Sequence, residues 1–285
     1  MRRVKREHRI DPKSGLALLG PMRKPTVTSS ATTTPALETR GLTIRFGGHV
    51  AVNNVSCQFS PGTLTAIVGP NGAGKTTYFN LISGQLCATS GQVLVEGEDI
   101  TFLPPSARAK RGLGRAFQLT NLFPELTALE NVRLAVQSRA EAGWSLLKVW
   151  NSRRDLIAKA EEILERVRLS DKRHIAPKAL SHGDQRKLEV ALLIAMEPKV
   201  FMFDEPTAGM SVDEVPTVLE LIHNIKQRSD ATVLLVEHKM DVVRSLADRI
   251  IVLHNGTLVA DGDPAEVIAS PVVQEAYLGV EVANG

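Results

Sequence analysis

The sequence predicts an α/β fold, and three observations point to it. Short apolar runs with strand character alternate with stretches of helical periodicity. One run, Leu64-Thr-Ala-Ile-Val68, empties directly into a glycine-rich turn. A second, Val200-Phe-Met-Phe203, ends in two consecutive acids. Strands this uniformly apolar belong in a sheet covered on both faces.

The first 36 residues stand apart from that pattern. Met1 to Lys24 carries eight basic side chains (Arg2, Arg3, Lys5, Arg6, Arg9, Lys13, Arg23, Lys24) against Glu7 and Asp11, a net +6 in a chain of +3 overall. A threonine- and serine-rich stretch follows up to Pro35. Residues 1–36 are therefore expected to be a disordered basic tail. It is either a solvated extension, one that a start at Met22 would largely remove, or a contact with anionic lipid or nucleic acid. It has no apolar core of a secretion signal.

From residue 37 the elements follow in order. Leu42, Ile44 and Phe46 alternate, as do Val55, Cys57 and Phe59, which predicts half-buried antiparallel strands. Leu64–Val68 reads as a buried strand, and Gln92–Glu96 is a further strand candidate. Thr127-Ala-Leu-Glu130 forms a capping box, with Leu129, Val132 and Val136 at helical spacing behind it. Leu156, Ile157, Ala160, Ile163, Leu164 and Val167 mark one face of a further helix. Residues from about 119 to 184 are thus expected to be mostly helical. Strands return at Val200–Phe203 and Val233–Val236, and Ile250–Ala260 reads as a hairpin about Asn255-Gly256. Asp263-Pro264 opens another helix with proline at its first position. No internal repeat is seen.

Composition narrows the function classes. At 285 residues, 43% hydrophobic and 23% charged, the chain is neither fibrous nor wholly disordered. No apolar run approaches the roughly 18 residues of a spanning helix, so the chain is not expected to cross a membrane by itself. Cys57 and Cys87 form neither a CxxC pair nor a metal-ligand spacing, which fits a reducing cytosol.

The most specific motif is Gly69, Pro70, Asn71, Gly72, Ala73, Gly74, Lys75, Thr76, which matches G-x-x-x-x-G-K-[ST] directly after a strand. A glycine-rich turn lets backbone N–H groups converge on a polyanion without Cβ obstruction. The helix that follows adds its positive end. Lys75 supplies a point charge for the β and γ phosphates, and the Thr76 hydroxyl can ligate Mg²⁺. Thr77 completes the expected nucleotide-binding set. In Phe201-Met-Phe-Asp204-Glu205, Asp204 suits the Mg²⁺ shell. Glu205 is placed to orient or deprotonate a water attacking the γ phosphate. The cofactors expected are ATP and Mg²⁺.

With these two motifs in place the chain resembles the ATP-binding-cassette ATPases over about residues 37–280. Gln118, in Arg115-Ala-Phe-Gln118, is similar to the glutamine that links Mg²⁺ and water to the transport partner. Leu180-Ser181-His182-Gly183-Asp184-Gln185 is similar to the signature sequence, which contacts the ATP of a partner subunit. His238, after Glu237, resembles the switch histidine near the γ phosphate, and Phe46 the aromatic that stacks on adenine. The resemblance implies a P-loop NTPase (RecA-like) core with an antiparallel β subdomain. A helical subdomain of about residues 119–184 is inserted, and the ATPase domain as a whole spans 37–285. It implies catalytic roles for Glu205, His238 and Gln118, and Mg²⁺ contacts from Thr76, Gln118 and Asp204. Four positions depart from the pattern: His182 and Asp184 within the signature, Ser211 in the loop after the acidic strand, and Phe46 in place of the commoner tyrosine, which stacking tolerates.

Gly183-Asp-Gln-Arg-Lys-Leu-Glu189 and Glu275-Ala-Tyr-Leu-Gly279 are similar to branched-chain amino acid importer ATPases, and the insert with Trp144 and Trp150 to the larger of the two ATPases in such systems. That resemblance implies a heterodimer with a second ATPase, two permeases and, indirectly, a periplasmic solute-binding protein. It places the chain on the cytoplasmic face of a bacterial inner membrane, as a peripheral subunit. Urea or amide importers and a lipopolysaccharide exporter are the neighbouring alternatives. A soluble cassette acting on ribosomes or nucleic acid is disfavoured. Each motif occurs once, the Lys75–Ser181 interval is too short for a long coiled coil, and the basic tail lacks interleaved aromatics.

Overall fold

A computed structural model describes residues 34–116, 122–140 and 154–278. The residues from 34 onward build two sheets with helices between and around them. The first sheet is antiparallel. Strand β1 (Leu37–Phe46) returns through Gly47-Gly48 into β2 (His49–Phe59), and β1 also pairs with β4 (Ser90–Val95), which carries the short β5 (Glu98–Asp99) at its edge. The predicted alternation holds on β2, where Val55, Cys57 and Phe59 are buried between exposed neighbours. It fails at the end of β1, where Phe46 is 50% exposed. The strand predicted at Gln92–Glu96 starts two residues earlier and stops at Val95, because Glu96 and Gly97 turn with positive φ.

The second sheet has the order β10 (Thr257–Gly262), β9 (Arg249–His254), β3 (Leu64–Val68), β8 (Thr232–Val236), β7 (Val200–Asp204), β6 (Leu113–Ala116). Its strands β3, β6, β7, β8 and β9 run parallel, and β10 folds back antiparallel on β9. Every residue of β3, β7 and β8 is buried, as a sheet covered on both faces requires. Asn255 and Gly256, with φ of 48° and 73°, make the predicted two-residue hairpin turn.

Helix α1 (Lys75–Ser83) lies between the sheets, and its Tyr78, Phe79 and Ile82 pack with Val52, Phe59, Ile67 and Leu253. The carbonyls of Leu81 and Ile82, near its end, accept hydrogen bonds from the buried Arg108 guanidinium, carried on α2 (Pro105–Lys110). The opposite face of the parallel sheet packs against α3 (Ala128–Arg139), α4 (Arg154–Arg166), α5 (His182–Ala195) and α6 (Val215–Lys226). Thr127 and Glu130 cap α3 reciprocally as predicted. The predicted face of α4 is the buried one, with Leu156, Ala160, Ile163 and Leu164 inside. Helices α7 (Met240–Leu246), α8 (Pro264–Ala269) and α9 (Pro271–Leu278) follow; Val243, Val267 and Val273 cover β3 and β9 from outside. No described helix is long and apolar enough to cross a membrane.

Candidate functional site

Three neighbouring strands, β3, β8 and β7, end on the same edge of the parallel sheet. In open α/β sheets, ligands bind outside the carboxyl ends of the strands. Here β3 ends in the glycine-rich loop, β7 in Asp204 and Glu205, and β8 leads into His238. Side chains separated by more than 160 positions in the chain therefore face one cleft of about 340 Å³, lined by Asn71 to Thr77, Glu205, His238, His49 and Ala51.

The loop's geometry requires glycine at two points. A Cβ on Gly69 would fall 2.1 Å from the Leu253 carbonyl, and one on Gly74 would fall 2.5 Å from that of Ala51. Gly74 adopts a φ of 96° and hands the chain to α1, so Lys75, Thr76 and Thr77 are that helix's first turn. Their backbone N–H groups carry the positive end of the helix dipole. Lys75 is 5% exposed, and its Nζ donates to the carbonyls of Gly69 at 2.7 Å and Pro70 at 2.9 Å. Burial lowers its pKa, while the charges of Glu205 and Asp204 work against that shift. A polyanion entering the cleft meets a cation held against the loop it must occupy.

Glu205 and His238 meet directly. His238 Nε2 lies 2.7 Å from Glu205 Oε1, with both side chains 40% exposed. Glu205 holds a φ of 50°, a left-handed conformation that costs a side-chain-bearing residue about 1–3 kcal/mol and clusters at functional sites. A backbone bond from its N–H to the Val236 carbonyl, 2.9 Å, fixes that turn against β8. The carboxylate is thus an acceptor at the cleft wall, where it can take a proton from a bound water.

Asp204 is buried and pairs with Arg115, whose Nη2 donates to Asp204 Oδ2 at 2.6 Å. Burial raises the Asp204 pKa; the Arg115 guanidinium opposes the rise. The same guanidinium reaches Asn80 and Ser83 of α1, both at 2.7 Å, and so ties β6 and β7 to that helix. Asp204 and Thr76 offer oxygen donors of the type a hard divalent cation takes, and a buried carboxylate gains from one. These residues fit Mg²⁺, which Thr76 and Asp204 would hold and which would supply charge neutralisation at a bound phosphate.

A family model described as ABC transporter matches residues 52–208. The chain belongs to the ABC transporter family. As an ATP-binding cassette it binds nucleotide, and its chemistry is ATP hydrolysis. A second family model, branched-chain amino acid ATP-binding cassette transporter, matches residues 257–283. The chain is 38% identical over 250 residues to the high-affinity branched-chain amino acid transport ATP-binding protein LivG of Escherichia coli (strain K12), which covers 86% of this chain and 98% of that protein. The corresponding protein BraF of Pseudomonas aeruginosa shows the same identity and coverage. Among solved structures, a nucleotide-free ATP-binding cassette from an ABC transporter is similar at a TM-score of 0.74 and 30% identity, over 86% of this chain and 99% of that one.

The segment that resembles the signature sequence, Ser181–Asp184, lies at the start of α5. Ser181 is its N-cap, with Oγ accepting from Asp184 N–H at 3.1 Å. The departures at Asp184, His182 and Ser211 each have a local account. Asp184 is buried between Lys172 and Lys187, at 2.5 and 2.9 Å, and anchors α5. The His182 ring sits beside Gly209, where a Cβ would come 3.3 Å from Nε2. Ser211 and Ser181 both donate to Glu214, at 3.1 and 3.2 Å. The Glu214 carboxyl group lies over Gly183, where a Cβ would come 2.3 Å from it and would require the Glu214 side chain to move aside.

The structure brings Lys75, Thr76, Thr77, Glu205 and His238 to one cleft, with Asp204 beside them. Phe46 is not among the cleft-lining residues; it pairs across the β1–β2 turn with His49, which is. Gln118, Trp144, Trp150 and Gly279 lie outside the described residues. Sequence reasoning missed His49, Ala51 and the Arg115–Asp204 ion pair. The signal for Arg115 was its place three residues before Gln118, but no residue-level rule assigns a partner 89 positions away.

Proposed function

We propose that this cassette binds MgATP between its phosphate loop and the Ser181–Asp184 segment of a second, non-identical ATPase subunit. Hydrolysis there powers uptake of branched-chain amino acids through two permeases fed by a periplasmic binding protein. The observation that carries the site reading is the convergence of Lys75, Glu205 and His238 on one cleft, with Glu205 and His238 in contact at 2.7 Å. Lys75 and the backbone N–H groups of residues 72–77 bind the phosphates. Glu205 accepts the proton of the attacking water, and His238 donates to Glu205 or to the γ phosphate, which fixes the acceptor's orientation. Phe46 at the rim stacks on adenine. Thr76, Asp204 and Gln118 would hold Mg²⁺, which neutralises phosphate charge when bound.

The transport reading draws on the named relatives and on the match across residues 257–283. The chain would lie peripherally on the cytoplasmic face of the membrane. A larger groove of about 580 Å³ runs between α2, β6, α3 and α5, with Phe123 55% exposed at its wall. It lacks the loop donors and cation of the nucleotide cleft. It adjoins Arg115, hence Asp204, and we assign it to the permease. Residues 1–36 remain a tail in this reading, and residues 119–184 the helical subdomain that carries motion to the membrane.

The test is capture of a tagged E205Q chain from native membranes in ATP, followed by uptake of labelled leucine by the recovered complex carrying wild-type chain. Recovery of a different ATPase with two permeases, and leucine uptake dependent on ATP, supports the proposal. Recovery of ribosomal or DNA-bound proteins without permeases refutes it.

A further inference from the structure

Glu237 joins β8 to His238 and is 3% exposed. A buried carboxylate is costly unless hydrogen bonds satisfy it. Both of its oxygens are engaged. Oε1 accepts from the Thr207 hydroxyl, and Oε2 accepts from the backbone N–H of His238 at 2.7 Å and of Lys239 at 3.2 Å. Thr207 is itself 1% exposed and lies in the loop that follows Glu205.

Two loops are therefore joined twice. At the cleft wall, His238 touches Glu205. Behind it, Glu237 ties the backbone of His238 to Thr207, two residues after Glu205. The inner bond is buried and the outer one is 40% exposed at each side chain. The inner bond holds the loops at a fixed spacing, and the outer contact depends on that spacing.

We infer that Glu237 is a positioning residue for ATP hydrolysis: through the N–H groups of His238 and Lys239 and the hydroxyl of Thr207, it holds His238 Nε2 against Glu205. It is not among the residues that line the cleft. The inference rests on the roles given to Glu205 and His238 in the proposed function.

The test compares E237A, E237Q and T207V in the assembled transporter, reading kcat and KM for ATP. Glutamine can keep the network: its carbonyl accepts the backbone N–H groups, and its NH₂ donates to the Thr207 oxygen, which accepts as readily as it donates. Alanine keeps none of it. A misplacement of about 1 Å at a reacting centre costs about a hundredfold. The expected result is a kcat lower by about ten- to a hundredfold in E237A, with KM within about twofold of wild type, and recovery in E237Q to within about threefold. T207V removes one arm only and is expected to lower kcat by about threefold at unchanged KM. E237Q as slow as E237A, or a KM that rises in step with the loss of kcat, overturns the inference. Should E237A fail to fold, wild-type kcat in folded T207V overturns it as well. E205Q and H238A run in parallel separate the two readings. If both keep wild-type turnover, the proposed function has failed. If both lose it while E237A or T207V does not, this inference alone has failed.

Discussion

In the proposed function, Lys75 is the residue on which nucleotide affinity rests. Its ammonium is buried beneath the loop that must wrap the phosphates, in the company of the Glu205 and Asp204 charges. A hydrogen bond to a charged group contributes about 1.5–3 kcal/mol, so K75A is expected to weaken ATP binding by about ten- to a hundredfold, as read by calorimetry. Unchanged affinity would remove the loop from the site. The Lys75 role is legible from sequence because the motif is local: eight consecutive residues after a strand contain the glycines, the cation and the hydroxyl. Arg115 and Glu237 are illegible for the opposite reason. Each acts on a partner brought near only by folding, Asp204 across β6–β7 and Thr207 across β7–β8. Phe46 shows the limit of alternation: it continues the β1 pattern, yet the strand ends there and the ring faces solvent.

At the scale of elements, local signals and tertiary contacts divide the fold between them. The α3 capping box and the Asn255-Gly256 hairpin need only neighbours in sequence, and both form where predicted. Strand β6 is only four residues, Leu-Gly-Arg-Ala, and carries no alternation that marks it. It exists because β7 supplies its ladder and α5 its cover: a Cβ on Gly114 would meet Leu193 at 2.5 Å. Helix α2 escapes notice likewise, being short and held by Arg108 reaching back to Leu81, Ile82, Thr101 and Leu103. The capping box carries its own prediction. T127A removes the cap and is expected to cost about 1 kcal/mol, a fall in Tm of about 2–4 °C. The Thr127 backbone N–H and hydroxyl hold the Glu130 carboxyl below its ordinary pKa. An acid whose pKa is lowered on folding adds stability above its unfolded value and loses it as pH falls through the folded one. The difference between wild type and T127A is therefore expected to shrink on acidification through the glutamate range. A difference that grows on acidification would contradict that assignment.

In the proposed function, chemistry and coupling share one buried sheet. Strands β3, β8 and β7 deliver the phosphate loop, His238 and Glu205 to one edge, and Arg115 links Asp204 to the groove between the sheet and the helices. A partner that shifts β6 would move the guanidinium bonded to Asp204. The charge is divided too: the first 24 residues carry a net +6 and the remainder sums to −3, so the cassette itself is mildly acidic. Fold class and the order of motifs were readable along the chain because each motif is local, the phosphate-loop and acidic motifs each closing a strand and the Ser181–Asp184 segment opening a helix. The cleft was not, because it is made only when three separate strands lie side by side. The central claim is that this cleft hydrolyses ATP with Glu205 as the acceptor of the water's proton. The measurement that meets it most directly is nucleotide occupancy and phosphate release for E205Q in the assembled transporter. Occupancy equal to wild type with phosphate release lowered about a hundredfold or more is the predicted result; wild-type release by E205Q would contradict it.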